Sequence, residues 1–165
     1  MGKYNDVFEN FNIQVRKISF KTALNISLLL CFNDLHFFSD YITVNKLDED
    51  IFAVFEQSII NIEKRINNLD NTDDFKIEYN KCVDFLNNFY DEENLLYDEC
   101  VNLCSAIIHL FELIFTKDNQ HIFEIMKLCF ENKEAYIQKT YDNCDEIIQE
   151  FLENMGKLDL SWFNI

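Results

Sequence analysis

The chain has 165 residues, with 14 Lys and Arg against 30 Asp and Glu, for a formal net charge of −16. A chain of that length buries roughly 70% of its unfolded surface without metals or disulfides, so one self-supporting domain spanning residues 1–165 is expected. With no Pro and only Gly2 and Gly156, the interior lacks the glycines that cradle phosphate or turn β-hairpins, which excludes a P-loop, a dinucleotide-binding turn and a hairpin-rich fold.

The pattern instead predicts an all-α bundle of about six to seven helices. A short amphipathic segment covers Tyr4 to Phe11. A helix from about Val15 to Asn33 is apolar around most of its circumference, through Ile18, Phe20, Leu24, Leu28, Cys31 and Phe32, and is expected at the centre. Asp34 to Thr43 reads as a separate short helix packed at its end, with Phe37, Phe38 and Tyr41 in the densest aromatic patch of the chain.

Asp48 to Leu69 carries the clearest helical periodicity, with Ile51, Phe55, Ile59, Ile62, Ile66 and Leu69 on one face. Asp48, Glu49 and Asp50 suit the positive end of its dipole. A fourth helix runs from Asp74 to Asn88. The acidic run Asp91-Glu92-Glu93 opens a fifth, which continues through Cys100, Leu103, Cys104, Ile107 and Phe111 to Phe115 as a second central helix. From Asp118 or Asn119, one of which caps, helical pattern continues to Met155. One unbroken helix there is longer than a domain of this size is wide, so a break is expected near Lys139 to Asn143. The tail, Leu158 to Ile165, alternates polar and apolar residues; it either straps back over the bundle or docks Trp162 and Phe163 into another chain.

Six cysteines (Cys31, Cys82, Cys100, Cys104, Cys129, Cys144) lie in apolar helical patterns with no leader before them. They read as reduced core thiols of a cytoplasmic protein. Cys100 and Cys104 have i, i+4 spacing that suits zinc, but His109 points away from them around the helix; the pair is read as small residues in a helix interface. His36, His109 and His121 follow no nucleophile or metal motif. His109 is placed at the border of a helix interface and His121 in a first helical turn with a local role. No catalytic residue, cofactor or metal is therefore expected. Glu92 with Glu93, and Asp145 with Glu146, read as ordinary acidic first turns.

The order of features resembles the YjaG-like family of bacterial all-helical proteins. The residues that carry the likeness are an early helix ending in an aromatic turn (Phe20 to Tyr41), the long helix from Asp48 to Leu69, the segment Leu96-Tyr97-Asp98-Glu99-Cys100-Val101-Asn102-Leu103, and the turn Thr116-Lys117-Asp118 before another helix. That resemblance implies an all-α fold and transfers no catalytic residue.

Charge is uneven: residues 1–33 carry net +2, which leaves −18 on the rest. Such a body disfavours nucleic acid and favours a basic protein surface. The longest nearly apolar stretch, Leu24 to Phe32, is much too short to span a bilayer, so no membrane role is expected. The functional expectation is a non-catalytic protein-binding or regulatory domain, in one specific form an acidic immunity-type inhibitor of a toxin. The alternatives are a signalling adaptor, or a small-molecule binder or enzyme with a pocket between helices near Phe38, Tyr41 and His109. A homodimer through the aromatic patch is compatible with either. The candidate partner-binding residues are Phe37, Phe38, Tyr41, Asp91, Glu92, Glu93, Trp162 and Phe163.

Overall fold

Several helix boundaries are traceable to side chains that satisfy, or compete for, backbone groups. The computed structural model describes residues 2–44, 49–88 and 97–156, and side chains within 5–35, 52–88 and 98–154. Among these residues there are seven α-helices and no strand, which makes the fold all-α. They are α1 (Gly2–Val15), α2 (Phe20–Val44), α3 (Glu49–Lys64), α4 (Lys76–Asn88), α5 (Tyr97–Thr116), α6 (Gln120–Thr140) and α7 (Cys144–Gly156), with one 3-10 turn at Thr72–Phe75.

The first segment is longer than the sequence suggests, reaching Val15, and α2 begins only at Phe20. Ser19 decides that boundary: its Oγ accepts the backbone N–H of Thr22 at 3.2 Å, which caps the new helix. The expected break at Asn33–Asp34 does not occur, and α2 runs unbroken to Val44. Asp34 does not fold back onto its own backbone, because its carboxylate accepts a hydrogen bond from Asn132 of α6; the local competition that ends helices at such residues is absent. Conversely, α3 stops at Lys64 instead of Leu69. Tightened turns follow, with Arg65 N–H to Ile62 C=O at 3.1 Å and Asn68 N–H to Arg65 C=O at 2.9 Å. Arg65 itself turns to pair with Asp74. Ile66 and Leu69 still pack on the core from outside the helix.

The break in the last helical region falls where length required it, with α6 ending at Thr140 and α7 starting at Cys144. Of the two helices expected at the centre, α5 packs on α2, α3, α4 and α6, whereas α2 packs on three helices, α3, α5 and α6; the second helix with four helical neighbours is α6, which packs on α1, α2, α5 and α7. A single cluster of buried apolar side chains draws on every helix, from Phe11 in α1 through Leu24, Phe55, Cys82, Phe111 and Met126 to Phe151 in α7. Among the described residues, six phenylalanines sit in it among a majority of Ile and Leu, and Phe75 and Tyr79 make tilted and edge-on contacts with Phe111. Asp98–Thr116, within α5, is long and apolar enough to cross a membrane by composition, and most of it is buried inside the bundle.

The α5–α6 pair is an antiparallel hairpin closed by residues 117–119. Lys117 takes the left-handed conformation, φ 55°, and its N–H returns to the Leu113 carbonyl at 2.8 Å. Asp118 is the residue that caps α6, accepting the Gln120 N–H at 3.0 Å. Asn119 instead donates its amide to the carbonyls of Val15 and Ile18, both at 3.0 Å, and so ties the hairpin to the α1–α2 turn. Two ends of one helix pair are thereby fixed against the rest of the bundle.

Candidate functional site

Of the residues singled out from the sequence, Phe37, Phe38 and Tyr41 lie on the backbone of α2 with side chains outside the described residues. Asp91, Glu92, Glu93, Trp162 and Phe163 also lie outside the described residues. The chemistry that the described residues bring together stands elsewhere, along the α5–α6 pair.

At the hairpin end, His109 and Glu112 of α5 meet His121 at the start of α6. The two histidine Nδ1 atoms are 3.0 Å apart, and the Glu112 Oε2 lies 3.6 Å from the first and 3.5 Å from the second. His121 therefore does not act locally: the tight turn at Lys117–Asn119 swings it across onto α5. The other carboxylate oxygen of Glu112 accepts a hydrogen bond from Tyr79 of α4 at 3.2 Å, which leaves Oε2 aimed at the imidazoles. Tyr79 is held by edge-on packing against Phe111 and Phe115. The side chains of His109, Glu112 and His121 are 27%, 31% and 19% exposed, so the trio is walled on one side and open to water on the other. Burial lowers the proton affinity of His109, and His121 beside it acts in the same sense, against the pull of Glu112 and Glu124. Burial and the adjacent Glu112 carboxylate raise the Tyr79 phenol.

A signal for this cluster was present in the sequence as a repeated tetrad, His109-Leu110-Phe111-Glu112 and His121-Ile122-Phe123-Glu124. In each copy the i, i+3 spacing puts His and Glu on one helix face while the two residues between turn inward.

At the far end of the same pair, a second polar group is sealed in. Asp34, 7% exposed, accepts from the Asn132 amide at 2.8 Å. That amide also reaches the Glu99 carbonyl at 3.2 Å, and Asn102 donates to the Asn132 carbonyl oxygen at 3.1 Å. Lys139 closes the set by pairing with Glu99 at 3.0 Å. Burial raises Asp34 from the usual carboxylate range to about 7, opposed by the Asn132 hydrogen bond and by Lys133. Lys133 is itself lowered by burial.

All six cysteines are free, five of them buried and Cys144 half-buried. Burial, with Glu99 and Asp34 nearby, pushes the Cys100 thiol up to about 12, and the Cys104 thiol donates to the Cys82 carbonyl at 3.2 Å. Both behave as core thiols at a helix interface, as their spacing against His109 implied. The side chains of Phe38 and Tyr41, expected with His109 around a pocket between helices, lie outside the described residues. Among the described residues an apolar groove of about 490 Å³ lies between α2 and α3, where Leu29 and Phe32 are 42% and 40% exposed beside Leu28, Ile59 and Ile66. On the outer side of α7, Asp145, Glu146, Glu150 and Glu153 are exposed while Ile148, Phe151 and Leu152 are buried, and the helix carries no Lys or Arg.

No family model, no curated protein and no solved structure matches this chain.

Proposed function

We propose that this chain is a non-catalytic, cytoplasmic binding domain whose acidic helical surface engages a basic protein partner, with an immunity-type inhibitor of a basic toxin as the specific form. The observation that carries the reading is the one-sided charge of α7. Its inner face is committed to the core through Ile148, Phe151 and Leu152, and its outer face presents Asp145, Glu146, Glu150 and Glu153 with no cation on the helix. Asp142, also exposed, extends the same run. A chain at −16 with such a face gains association rate toward a basic surface through long-range steering, and loses it as salt shortens the Debye length below about 10 Å.

The test compares the tagged wild type with a triple variant, Asp145→Lys, Glu146→Lys and Glu150→Lys, as bait in lysate of the host cell at low and moderate salt. Because Asp145 and Glu146 stand in the first turn of α7, where the dipole favours acids, circular dichroism first establishes that the variant keeps its helicity. A basic protein retained by the wild type at low salt, and lost both in the variant and at moderate salt, supports the reading. Equal recovery of the same proteins by both baits sinks it.

A further inference from the structure

We propose that His109, Glu112 and His121 form a binding site for a divalent transition-metal ion of the zinc class. This goes beyond the binding surface described above and rests on none of its residues.

Geometry carries the inference. Zinc bonds imidazole nitrogen and carboxylate oxygen at about 2.0–2.1 Å, and tetrahedral bonds of that length separate neighbouring ligand atoms by about 3.3 Å. The three edges found here are 3.0, 3.5 and 3.6 Å. The point equidistant from all three atoms lies about 2.0 Å from each, so an ion reaches every ligand without a backbone movement. The set is also chemically apt, since two borderline imidazoles and one carboxylate favour zinc-class ions over calcium or magnesium, which prefer all-oxygen shells.

One further feature belongs to a built site: Tyr79 orients Glu112 through its other oxygen, the kind of outer partner that fixes a ligating carboxylate. Both rings present Nδ1, so ligation requires each to hold its proton on Nε2. The remaining coordination position faces the exposed side and is left to water, as in zinc sites with three protein ligands. Bound metal would join α5 to α6 directly, and α4 through Tyr79.

Zn²⁺ alone, titrated into the purified full-length chain and followed by calorimetry and thermal melting, tests the site. One saturating equivalent and a rise in Tm of about 5 °C at excess metal are expected. His109→Ala and His121→Ala are each expected to weaken binding at least tenfold, whereas His36→Ala and Cys144→Ser leave it unchanged. Glu112→Gln keeps the volume and a partner for Tyr79, and it decides the matter if either alanine variant loses helicity: a tenfold loss supports the site. Absence of saturable binding, or affinity within twofold of wild type in the folded His109, His121 or Glu112 variants, overturns it.

Discussion

The two ends of the α5–α6 pair treat polar groups in opposite ways. Around Asp34 and Asn132 the polar atoms are sealed from water and satisfied by one another, and the carboxyl answers burial by holding its proton to about pH 7. Around His109 and His121 the groups keep one side open to solvent, and three ligand atoms converge on a common centre. Burial with internal partners makes a structural polar core, whereas partial burial with three ligand atoms close together is the arrangement on which the proposed cation site rests.

The comparison breaks most severely at Asn132. Replacing it with Leu removes the hydrogen bond to the buried Asp34 carboxylate and the amide contact to the Glu99 carbonyl, while Asn102 keeps Glu131 as an acceptor, and a loss of about 3–5 kcal/mol is expected at pH 8. The loss should shrink at pH 5, where Asp34 is protonated. Denaturant unfolding at the two pH values measures both.

Asp34 sharpens the comparison from the other direction. Its folded-state proton affinity is raised above the ordinary value of 3.8, so the stability it contributes is present in full below about pH 4 and is lost as pH rises through about 7. Asp34→Asn, which retains an acceptor for Asn132, is expected to flatten that pH dependence and to stabilise the protein at pH 8. The three-unit rise sets an upper bound of roughly 4 kcal/mol on the gain. Urea midpoints from pH 4 to pH 8 would show the two curves diverging from about pH 4 and the gap levelling off above about pH 7; parallel curves would mean that Asp34 is ordinary.

At the open end, Tyr79→Phe removes the hydrogen bond that aims Glu112 while preserving the aromatic packing. A weakening of Zn²⁺ binding by about tenfold is expected with little change in apo stability, read by competition titration. The smallest effect concerns the turn that brings His121 across. Lys117→Gly relieves a left-handed residue but loses the ammonium placed 5.7 Å over the Phe20 ring, so a net gain of only a few tenths of a kcal/mol is expected in thermal melts.

Much of the helix order is written in local pattern. The Ile and Phe spacing of α3 and the wide apolar face of α5 identify core helices from sequence because burial repeats at the helical period. The length argument also locates the α6–α7 break, since a rigid rod cannot exceed the body that covers it. Side chains that choose distant partners escape such reading. Asn33–Asp34 looks like a helix end until Asn132 is found beside it, 98 residues on. His121 looks like a local first-turn residue until the turn at Lys117 lays it against His109.

By itself the sequence determined the all-α class, the central position of α5, the buried cysteines and the acidic charge, all of which follow from composition and period. Only the tertiary structure decided that α2 runs through Asp34, and that two His-x-x-Glu turns meet to converge two imidazoles and a carboxylate on one point. The physical reason is range: helix periodicity is set by neighbours three and four residues away, while hydrogen-bonded cores and ligand triangles depend on how separate helices pack.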